Sequence, residues 1–260
     1  GGLSSRGILV KGANVIDDLA KVKQVIMDKT GTLTSGKFAV EEVLSAVDKE
    51  QLIKDAAYAE HFSNHPIAQG IKEACQAEIH DEEVTNVQEI AGRGLSVQVN
   101  GKEILAGNYK LMNEKGIQCE EETSTGTLVY VAKNGVYEGC LVLRDQLKAD
   151  AKEAVDTLHK EGKKCIIVSG DNQEITSSIG SQLGVDQAIG GCMPEDKVNT
   201  VKKYMEEGMT AFVGDGVNDA PVITLANVGI AMGALGSDAA IEAADVVLMD
   251  DSVSKISLAI

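Results

Sequence analysis

An aspartate near the start of the chain has the surroundings of a nucleophile for phosphorus. Asp28 follows the apolar run VKQVIM and opens the turn-rich segment DKTGTLT. A carboxylate at the end of a strand, within a loop of exposed backbone N–H groups, can attack a phosphorus atom and form an acyl phosphate. The sequence therefore predicts a phosphoryl-transfer centre at Asp28, provided that other groups neutralise the charge of the transferring phosphoryl group.

Two later segments supply groups of that kind. The segment GDGVNDAP contains Asp215 and Asp219, whose carboxylates are hard oxygen ligands suited to Mg²⁺. Lys197, near the start of a predicted helix, could reach a phosphate and add positive charge. In the segment KKCIIVSGD, the hydroxyl of Ser169 and the N–H of Gly170 could donate hydrogen bonds to phosphoryl oxygens. The chain thus offers a nucleophile, a metal site and phosphate donors.

These residues follow three apolar runs of strand type. The runs lead into Asp28, into the Ser-Gly-Asp turn of residues 163–171, and into the Gly-rich turn of residues 210–219. A helix is predicted after the second turn, over residues 173–183. Strands that alternate with helices indicate a parallel, doubly wound sheet, in which the loops after the strands form the ligand crevice. We therefore predict an α/β, Rossmann-like domain whose chemically active strand ends converge.

The segment between the first two runs has a different pattern. Asn100-Gly101 and Asn134-Gly135 each lie between alternating runs, which is a strong hairpin signal. Two helices are predicted over residues 49–61 and 66–79, the second capped by Asn64. The sequence thus predicts an inserted α+β domain with an antiparallel sheet over residues 38–143. The parallel-sheet domain would consist of residues 1–37 and 144–260.

The pair of motifs DKTGTLT and GDGVNDAP resembles the signature of P-type ATPases, in the haloacid dehalogenase-like superfamily. The resemblance implies that Asp28 is the phosphorylated nucleophile and a ligand of Mg²⁺. It implies two further Mg²⁺ ligands, the backbone carbonyl of Thr30 and the carboxylate of Asp215. The other implied catalytic residues contact the phosphoryl group or support the site, and they are Lys197, Ser169, Gly170, Asn218 and Asp219.

Position 30 separates two kinds of protein in this superfamily. Simple phosphatases carry a second Asp two residues after the nucleophile, where it acts as a general acid and base, and this chain has Thr30 there. Without that base, water attacks the acyl phosphate slowly and the intermediate persists. The resemblance therefore favours an ion pump over a soluble phosphatase or phosphotransferase of the same superfamily. A non-catalytic nucleotide-binding regulator is disfavoured because Asp28, Lys197 and Asp215 are all present.

Within the insert, the segments EHFSNHPIA, AGRGL and AGN suggest an ATP site. Glycines allow a planar base or a phosphate to approach closely, and side chains of Glu and His can hydrogen-bond adenine edges. These segments resemble the nucleotide-binding domain of heavy-metal-transporting P-type ATPases. The resemblance implies that ATP is contacted by Glu60, His65, Gly92, Gly94 and Asn108.

The resemblance covers essentially the whole chain and implies the catalytic head of a heavy-metal cation exporter that uses ATP and Mg²⁺. The length and the residues of the segment AMGALGSDAAIEAADVVLMDD resemble zinc- or cadmium-exporting members more than copper-exporting ones. The implied partners are an actuator domain and transmembrane helices of the same pump, together with the transported metal. We expect the segment to lie on the cytosolic face of the membrane.

Composition agrees with such a head. The formal net charge of −16 opposes binding to nucleic acid or to anionic lipid surfaces. The five cysteines are scattered, without metal-site spacing, and are expected to be reduced thiols. The sequence has no run of about 18 apolar residues, the length that spans a bilayer. On this basis the segment is expected to be soluble and intracellular.

Overall fold

The computed structural model describes residues 4–44, 48–215, 219–233 and 238–260. It divides into two compact units, one made of Gly1–Ser35 with Leu147–Ile260 and the other of Gly36–Gln146. We call these the split unit and the inserted unit. Their boundaries lie two or three residues from those expected at 37/38 and 143/144. Assigning phosphorylation to the split unit and nucleotide binding to the inserted unit remains a prediction.

The split unit is an α/β structure around a seven-stranded sheet. Its strands lie in the order β1-β13-β12-β11-β2-β9-β10 and are parallel except for β1, which pairs antiparallel with β13. The strands are β1 (Ile8–Val10), β2 (Gln24–Asp28), β9 (Lys164–Val168), β10 (Gln187–Ile189), β11 (Thr210–Gly214), β12 (Val228–Met232) and β13 (Val246–Leu248). The helices are α1 (Ala13–Lys21), α5 (Ala151–Lys160), α6 (Gln173–Leu183), α7 (Pro194–Glu207), α8 (Ala220–Leu225), α9 (Asp238–Ala243) and α10 (Ser254–Ala259).

Both faces of this sheet are covered, which explains why its strands are continuous apolar runs. Along β2, Val25 and Met27 pack into one core and Ile26 packs into the other. The first core includes side chains of α1, α5 and α10, and the second includes side chains of α7 and α8. The predicted doubly wound fold is confirmed, and helix α6 has the predicted bounds.

The inserted unit contains a six-stranded sheet in the order β3-β8-β7-β6-β5-β4. The neighbouring pairs β4–β5, β5–β6, β6–β7 and β7–β8 are all antiparallel. Its strands are β3 (Thr34–Leu44), β4 (Val84–Ile90), β5 (Gly94–Val99), β6 (Lys102–Gly107), β7 (Thr127–Lys133) and β8 (Val136–Leu147). Its helices are α2 (Lys49–Ala59), α3 (Pro66–Ala74) and α4 (Tyr109–Glu114).

The two Asn-Gly turns form the predicted hairpins. Asn100 and Asn134 have φ values of 53° and 52°, and the glycines that follow have φ values of 76° and 81°. Positive φ at both turn positions is the geometry of the favoured two-residue hairpin turn. These turns connect β5 with β6 and β7 with β8.

Helix α3 differs from its prediction in two ways. Its N-cap is His65, whose Nδ1 accepts the backbone N–H of Ile67 at 3.1 Å, so the prediction of Asn64 as the cap is wrong. An imidazole nitrogen can fill this role because it is an acceptor in one tautomer. The helix ends at Ala74 and not near residue 79, because Cys75 is extended. Helix α2 likewise ends at Ala59, two residues before its predicted end.

In the part of the chain that the structure describes, none of the helices is both long enough and apolar enough to cross a membrane.

Candidate active site and comparison with known proteins

The parallel register brings together the carboxyl ends of β2, β9 and β11, which carry the candidate site residues. Asp28 is the last residue of β2 and lies opposite Val168, so Ser169 follows at the neighbouring strand end. On the other side of β2, Met27 lies opposite Val213, and β11 ends one residue later. Because the carboxyl ends of parallel strands share one edge, the sequence spacing becomes spatial proximity.

An acidic triad lies at this edge. Asp28, Asp215 and Asp219 each place a carboxylate oxygen within 4.8 Å of the others. Asp28 and Asp219 are buried, and Asp215 is half-buried. Three neighbouring carboxylates repel one another unless a cation lies between them. The donor set and its burial therefore fit a divalent cation with oxygen ligands.

Lys197 supplies positive charge from the first turn of α7. Its Nζ lies 3.2 Å from Asp28 Oδ1 and 3.5 Å from Asp219 Oδ1. Burial acts to lower the pKa of Lys197, but the charges of Asp28 and Asp219 outweigh it and the pKa is raised. The ammonium group is therefore held in its charged form beside Asp28.

The carboxylates of the triad are costly to ionise without a metal. Burial, followed by the hydrogen bond and charge of Asp219, raises the pKa of Asp28 to about 8, although Lys197 opposes the shift. Burial and the charge of Asp219 also raise the pKa of Asp215. A cation bound between these groups would reverse both effects, because it favours the ionised forms.

Two glycines leave room for the triad. Gly31 has a φ of 80°, and a Cβ placed there would overlap the carboxylate of Asp215. A Cβ on Gly214 would lie 2.7 Å from Asp219 Oδ2. Gly31 and Gly214 thus allow close approach of side chains, and Gly31 also meets a need for positive φ.

The remaining predicted residues of this site differ in their exposure, and one of them is not described by the structure. Ser169 is buried, and its Oγ accepts the backbone N–H of Asp171 at 3.0 Å, whereas Gly170 is exposed. Thr30 is exposed and extended, with φ −72° and ψ 123°. Asn218 lies outside the described residues.

The structure adds contacts that sequence reasoning missed. Lys29, buried next to the nucleophile, forms an ion pair with Asp171 and so ties the loop after β2 to the turn after β9. In the described residues, Lys148 Nζ is buried without a hydrogen-bond partner. Burial lowers the pKa of Lys148, against the charges of several aspartates that include Asp251 and Asp215. For the ion pair of Lys29 and Asp171, the sequence signal is that each residue lies in a distinctive motif.

The second set of predicted residues lies in the inserted unit, in two groups. Gly92 and Asn108 are joined because Asn108 Nδ2 donates to Gly92 O at 2.9 Å. Asn108 Oδ1 also caps α4 by accepting the N–H of Leu111 at 3.0 Å, so this side chain stabilises the loop around it. A Cβ on Gly94 would overlap the backbone of β6, so Gly94 permits close strand packing.

The other group surrounds the turn between α2 and α3. Glu60 is the C-cap of α2 and His65 is the N-cap of α3. His65 uses Nδ1 for the cap, which leaves Nε2 available to a ligand. Burial raises the pKa of Glu60 to about 7, although the charge of Lys72 opposes this shift. In the residues described, no hydrogen bond or ion pair joins this group to that of Gly92 and Asn108.

A comparison with known families decides the superfamily. The model of the haloacid dehalogenase-like hydrolases matches residues 22–227, which include Asp28, Lys197 and Asp215. The chain belongs to the haloacid dehalogenase-like hydrolases. The matched range contains the ends of β2, β9 and β11 described above.

Relatives within the family narrow the resemblance further. The chain is 43% identical to the cadmium, zinc and cobalt-transporting ATPase of Bacillus subtilis, over all of this chain and 38% of that protein. It is 40% identical to a probable copper-exporting P-type ATPase of Archaeoglobus fulgidus, over 98% of this chain and 32% of that protein. The chain thus spans less than two fifths of the length of these curated relatives. The predicted resemblance to heavy-metal-transporting P-type ATPases is confirmed.

Solved structures agree with the sequence relatives. A zinc-transporting PIB-type ATPase matches 99% of this chain with a TM-score of 0.85 and 35% identity, over 43% of that protein's chain. The catalytic domain of the CPx-ATPase CopB-B matches 99% of this chain and 97% of its own, with a TM-score of 0.75 and 27% identity. The chain therefore corresponds in extent to a catalytic domain of this class.

Proposed function

We propose that this chain is the ATP-binding, autophosphorylating catalytic head of a heavy-metal cation-exporting P-type ATPase. One observation carries the proposal: Lys197 lies 3.2 Å from the buried Asp28 carboxylate, and Asp215 and Asp219 present oxygens within 4.8 Å. This is a carboxylate nucleophile with a lysine and a cation site beside it. Such a set is what transfer of a phosphoryl group to a carboxylate requires.

In this proposal Asp28 attacks the γ-phosphorus of ATP, and ADP leaves. Lys197 neutralises charge on the phosphoryl oxygens, and Ser169 and Gly170 donate hydrogen bonds to them. Asp28, Asp215 and the carbonyl of Thr30 would hold Mg²⁺, which when bound neutralises the developing charge. Asp219, with Asn218, supports the site.

Nucleotide binding is assigned to the inserted unit. Glu60 and the free Nε2 of His65 would recognise the adenine, and Gly92 and Gly94 would let the nucleotide approach the backbone. Asn108 would act by holding Gly92 in place, because its amide nitrogen donates to Gly92 O and its amide oxygen accepts from Leu111 N–H. The finding that a relative's catalytic domain changes conformation upon nucleotide binding supports a nucleotide role.

Transport belongs to the proposal for the whole pump. Zinc or cadmium is favoured as the cargo because the relative that transports cadmium, zinc and cobalt is 43% identical, against 40% for the copper exporter. The proposed partners are the actuator domain and the transmembrane helices of the same pump. The proposed location is the cytosolic side of a membrane. A soluble phosphatase is the alternative, and Thr30 in place of a second Asp opposes it.

The direct test is binding of beryllium fluoride, a mimic of a phosphoryl group on a carboxylate. We expect it to raise the melting temperature of the chain only with Mg²⁺, and not in Asp28→Asn or Lys197→Met. Equal stabilisation of Asp28→Asn would overturn the assignment of the nucleophile.

The nucleotide site has its own test. Calorimetry should show ATP binding that is abolished or strongly weakened in His65→Ala but preserved or tightened in Asp28→Ala, which removes a charge near the phosphates. Normal binding by His65→Ala would contradict the site in the inserted unit. The soluble phosphatase would then be tested with small phosphate esters.

A further inference from the structure

Lys72 lies at the centre of the turn that carries two of the proposed nucleotide residues. From α3 its Nζ donates to two backbone carbonyls of the turn, that of Ser63 at 2.7 Å and that of His61 at 3.3 Å. The turn is closed further by the N–H of Ser63, which donates to Glu60 O at 3.0 Å. One ammonium group thus fixes the path of the chain between α2 and α3.

The end of α2 has a physical need for such a group. The last carbonyls of a helix lack partners within the helix and carry its negative dipole end. Glu60 adds a carboxylate at this end, and it is partly buried. A negative charge at a helix C-terminus is unfavourable, so a lysine that binds the carbonyls beside it stabilises both the turn and the ionised carboxylate.

The charges that act on Glu60 come from few places. Burial raises the pKa of Glu60 to about 7, and the positive charge of Lys72, from α3, opposes this rise. The next residue, His61, pairs with Asp81 at 2.7 Å. On α2 one turn earlier, Tyr58 donates to Glu83 at 3.4 Å.

We propose that Lys72 is a positioning residue of the nucleotide site, which fixes the turn that carries Glu60 and His65 by binding the carbonyls of His61 and Ser63. The proposal rests on the proposed function. An ionised carboxylate accepts a hydrogen bond from the exocyclic amino group of adenine, whereas it repels the carbonyl oxygen that guanine has at the same place. Lys72 therefore helps to select adenine over guanine nucleotides.

The test compares Lys72→Met and Lys72→Arg with Lys102→Met, which removes an exposed lysine of the same unit. Calorimetry measures the affinity for ATP and for GTP between pH 6 and pH 9. At pH 7 we expect Lys72→Met to bind ATP about tenfold more weakly, the worth of one charged hydrogen bond. GTP affinity should change less, so the preference for ATP falls.

The pH profile separates this role from a purely structural one. In wild type, ATP affinity should rise as Glu60 ionises near pH 7. Without the lysine the pKa of Glu60 is higher, so the rise should move to higher pH in Lys72→Met and return towards wild type in Lys72→Arg. The γ-phosphate also titrates, and Lys102→Met gives the reference profile for it.

Two results would overturn the proposal. Lys72→Met could match Lys102→Met, or it could lose the same affinity at every pH and for both nucleotides. If Lys72→Met does not fold, Glu60→Gln decides, because it must bind ATP more weakly above pH 7 with a flattened profile. A wild-type chain that binds no ATP would instead remove the proposed function and this inference together.

Discussion

At the scale of single residues, Gly31 meets two demands at once. Its φ of 80° disfavours any residue with a Cβ, and a Cβ there would also overlap the Asp215 carboxylate. The first demand concerns the backbone alone, whereas the second concerns the acidic triad. Gly162 allows the two to be separated, since its φ is 77° and a Cβ would meet nothing within 4 Å.

We expect Gly31→Ala to destabilise the chain by about 1–3 kcal/mol and to abolish stabilisation by Mg²⁺, because Asp215 must move. Gly162→Ala should cost about 1 kcal/mol for the backbone strain and leave the Mg²⁺ effect unchanged. Chemical denaturation with and without Mg²⁺ measures both variants. Full Mg²⁺ stabilisation in Gly31→Ala would show that Asp215 does not hold the cation.

The triad also predicts that removal of one carboxylate stabilises the metal-free chain but weakens its stabilisation by Mg²⁺. Asp28→Asn should raise the free energy of unfolding without metal by about 1 kcal/mol, since it removes one buried carboxylate from a group of three that repel one another. Added Mg²⁺ should stabilise wild type more than Asp28→Asn, because binding to the folded state raises its stability. Thermal melts in EDTA and in Mg²⁺ test this, with the exposed Asp17→Asn as control.

How well the site residues could be foreseen depends on whether their signal is local. Asp28 and Asp215 stand at strand ends in distinctive segments, so their convergence follows from the parallel sheet. The partners of Lys29 and Lys72 could not be inferred from the sheet in this way. Lys29 pairs with Asp171, 142 positions away, and Lys72 binds carbonyls, which carry no side-chain identity that a sequence pattern could show.

At the scale of elements, a β-bulge in the inserted unit buries an acidic pair. Between β7 and β8 the register shifts, so that Val131 lies opposite Gly139 and Ala132 opposite Tyr137, leaving Glu138 as the extra residue. Glu138 interacts with Asp55 of α2, which is fully buried. Lys133 Nζ lies 3.4 Å from Asp55 Oδ1. Among the described residues, Asp55 Oδ2 and Glu138 Oε2 are buried without hydrogen-bond partners as long as neither carboxyl group is protonated. One lysine faces two carboxyl groups, which favours retention of a proton.

This pair predicts a loss of stability at alkaline pH. Burial, then the hydrogen bond and charge of Asp55, raises the pKa of Glu138 to about 8 from an ordinary value of 4.5. A raised pKa means that the stabilisation is complete below about pH 4.5 and is lost as the pH rises through 8. Glu138→Gln should therefore gain stability relative to wild type between pH 6 and pH 9.

Melting temperatures across this range measure the difference between Glu138→Gln and wild type, which cancels the titration of other groups. The exposed Glu89→Gln should follow wild type at every pH. A constant offset between Glu138→Gln and wild type would mean that no proton is taken up on folding.

Elements with local signals were predictable, and those with tertiary causes were not. The Asn-Gly turns require positive φ, which few residues tolerate, so both hairpins could be placed in advance. Helix α3 ends early although its sequence continues to favour a helix, because Cys75 is extended. The bulge at Glu138 adjoins Gly139, whose φ is 149°. An isolated glycine within a strand often marks a bulge, but the glycine alone does not show that Glu138 meets Asp55.

At the scale of the whole molecule, the two proposed sites lie in different compact units. Asp28 and its triad belong to the split unit, and Glu60, His65 and Lys72 belong to the inserted unit. Each unit has its own apolar cores, two in the split unit and two in the inserted unit among the described residues. Ligands of one site should therefore stabilise one unit more than the other.

Hydrogen exchange can resolve this by segment. ADP without metal should slow exchange in α2, α3 and the turn at Gly92, with little change in β2 and β11. Beryllium fluoride with Mg²⁺ should do the reverse. Equal protection of both units by ADP alone would contradict a nucleotide site confined to the inserted unit.

The inserted unit enters and leaves through β3 and β8, which are neighbours in its sheet, and the N–H of Gly36 donates to Asp145 Oδ1 at 2.9 Å. Its first and last residues therefore lie side by side, as in domains that tolerate insertion into a host. The inserted unit is therefore suited to transfer into another protein as one continuous segment. A gene for residues 36–146 could be spliced into a surface turn of a fluorescent protein without stretching either chain, as the basis of a genetically encoded nucleotide reporter.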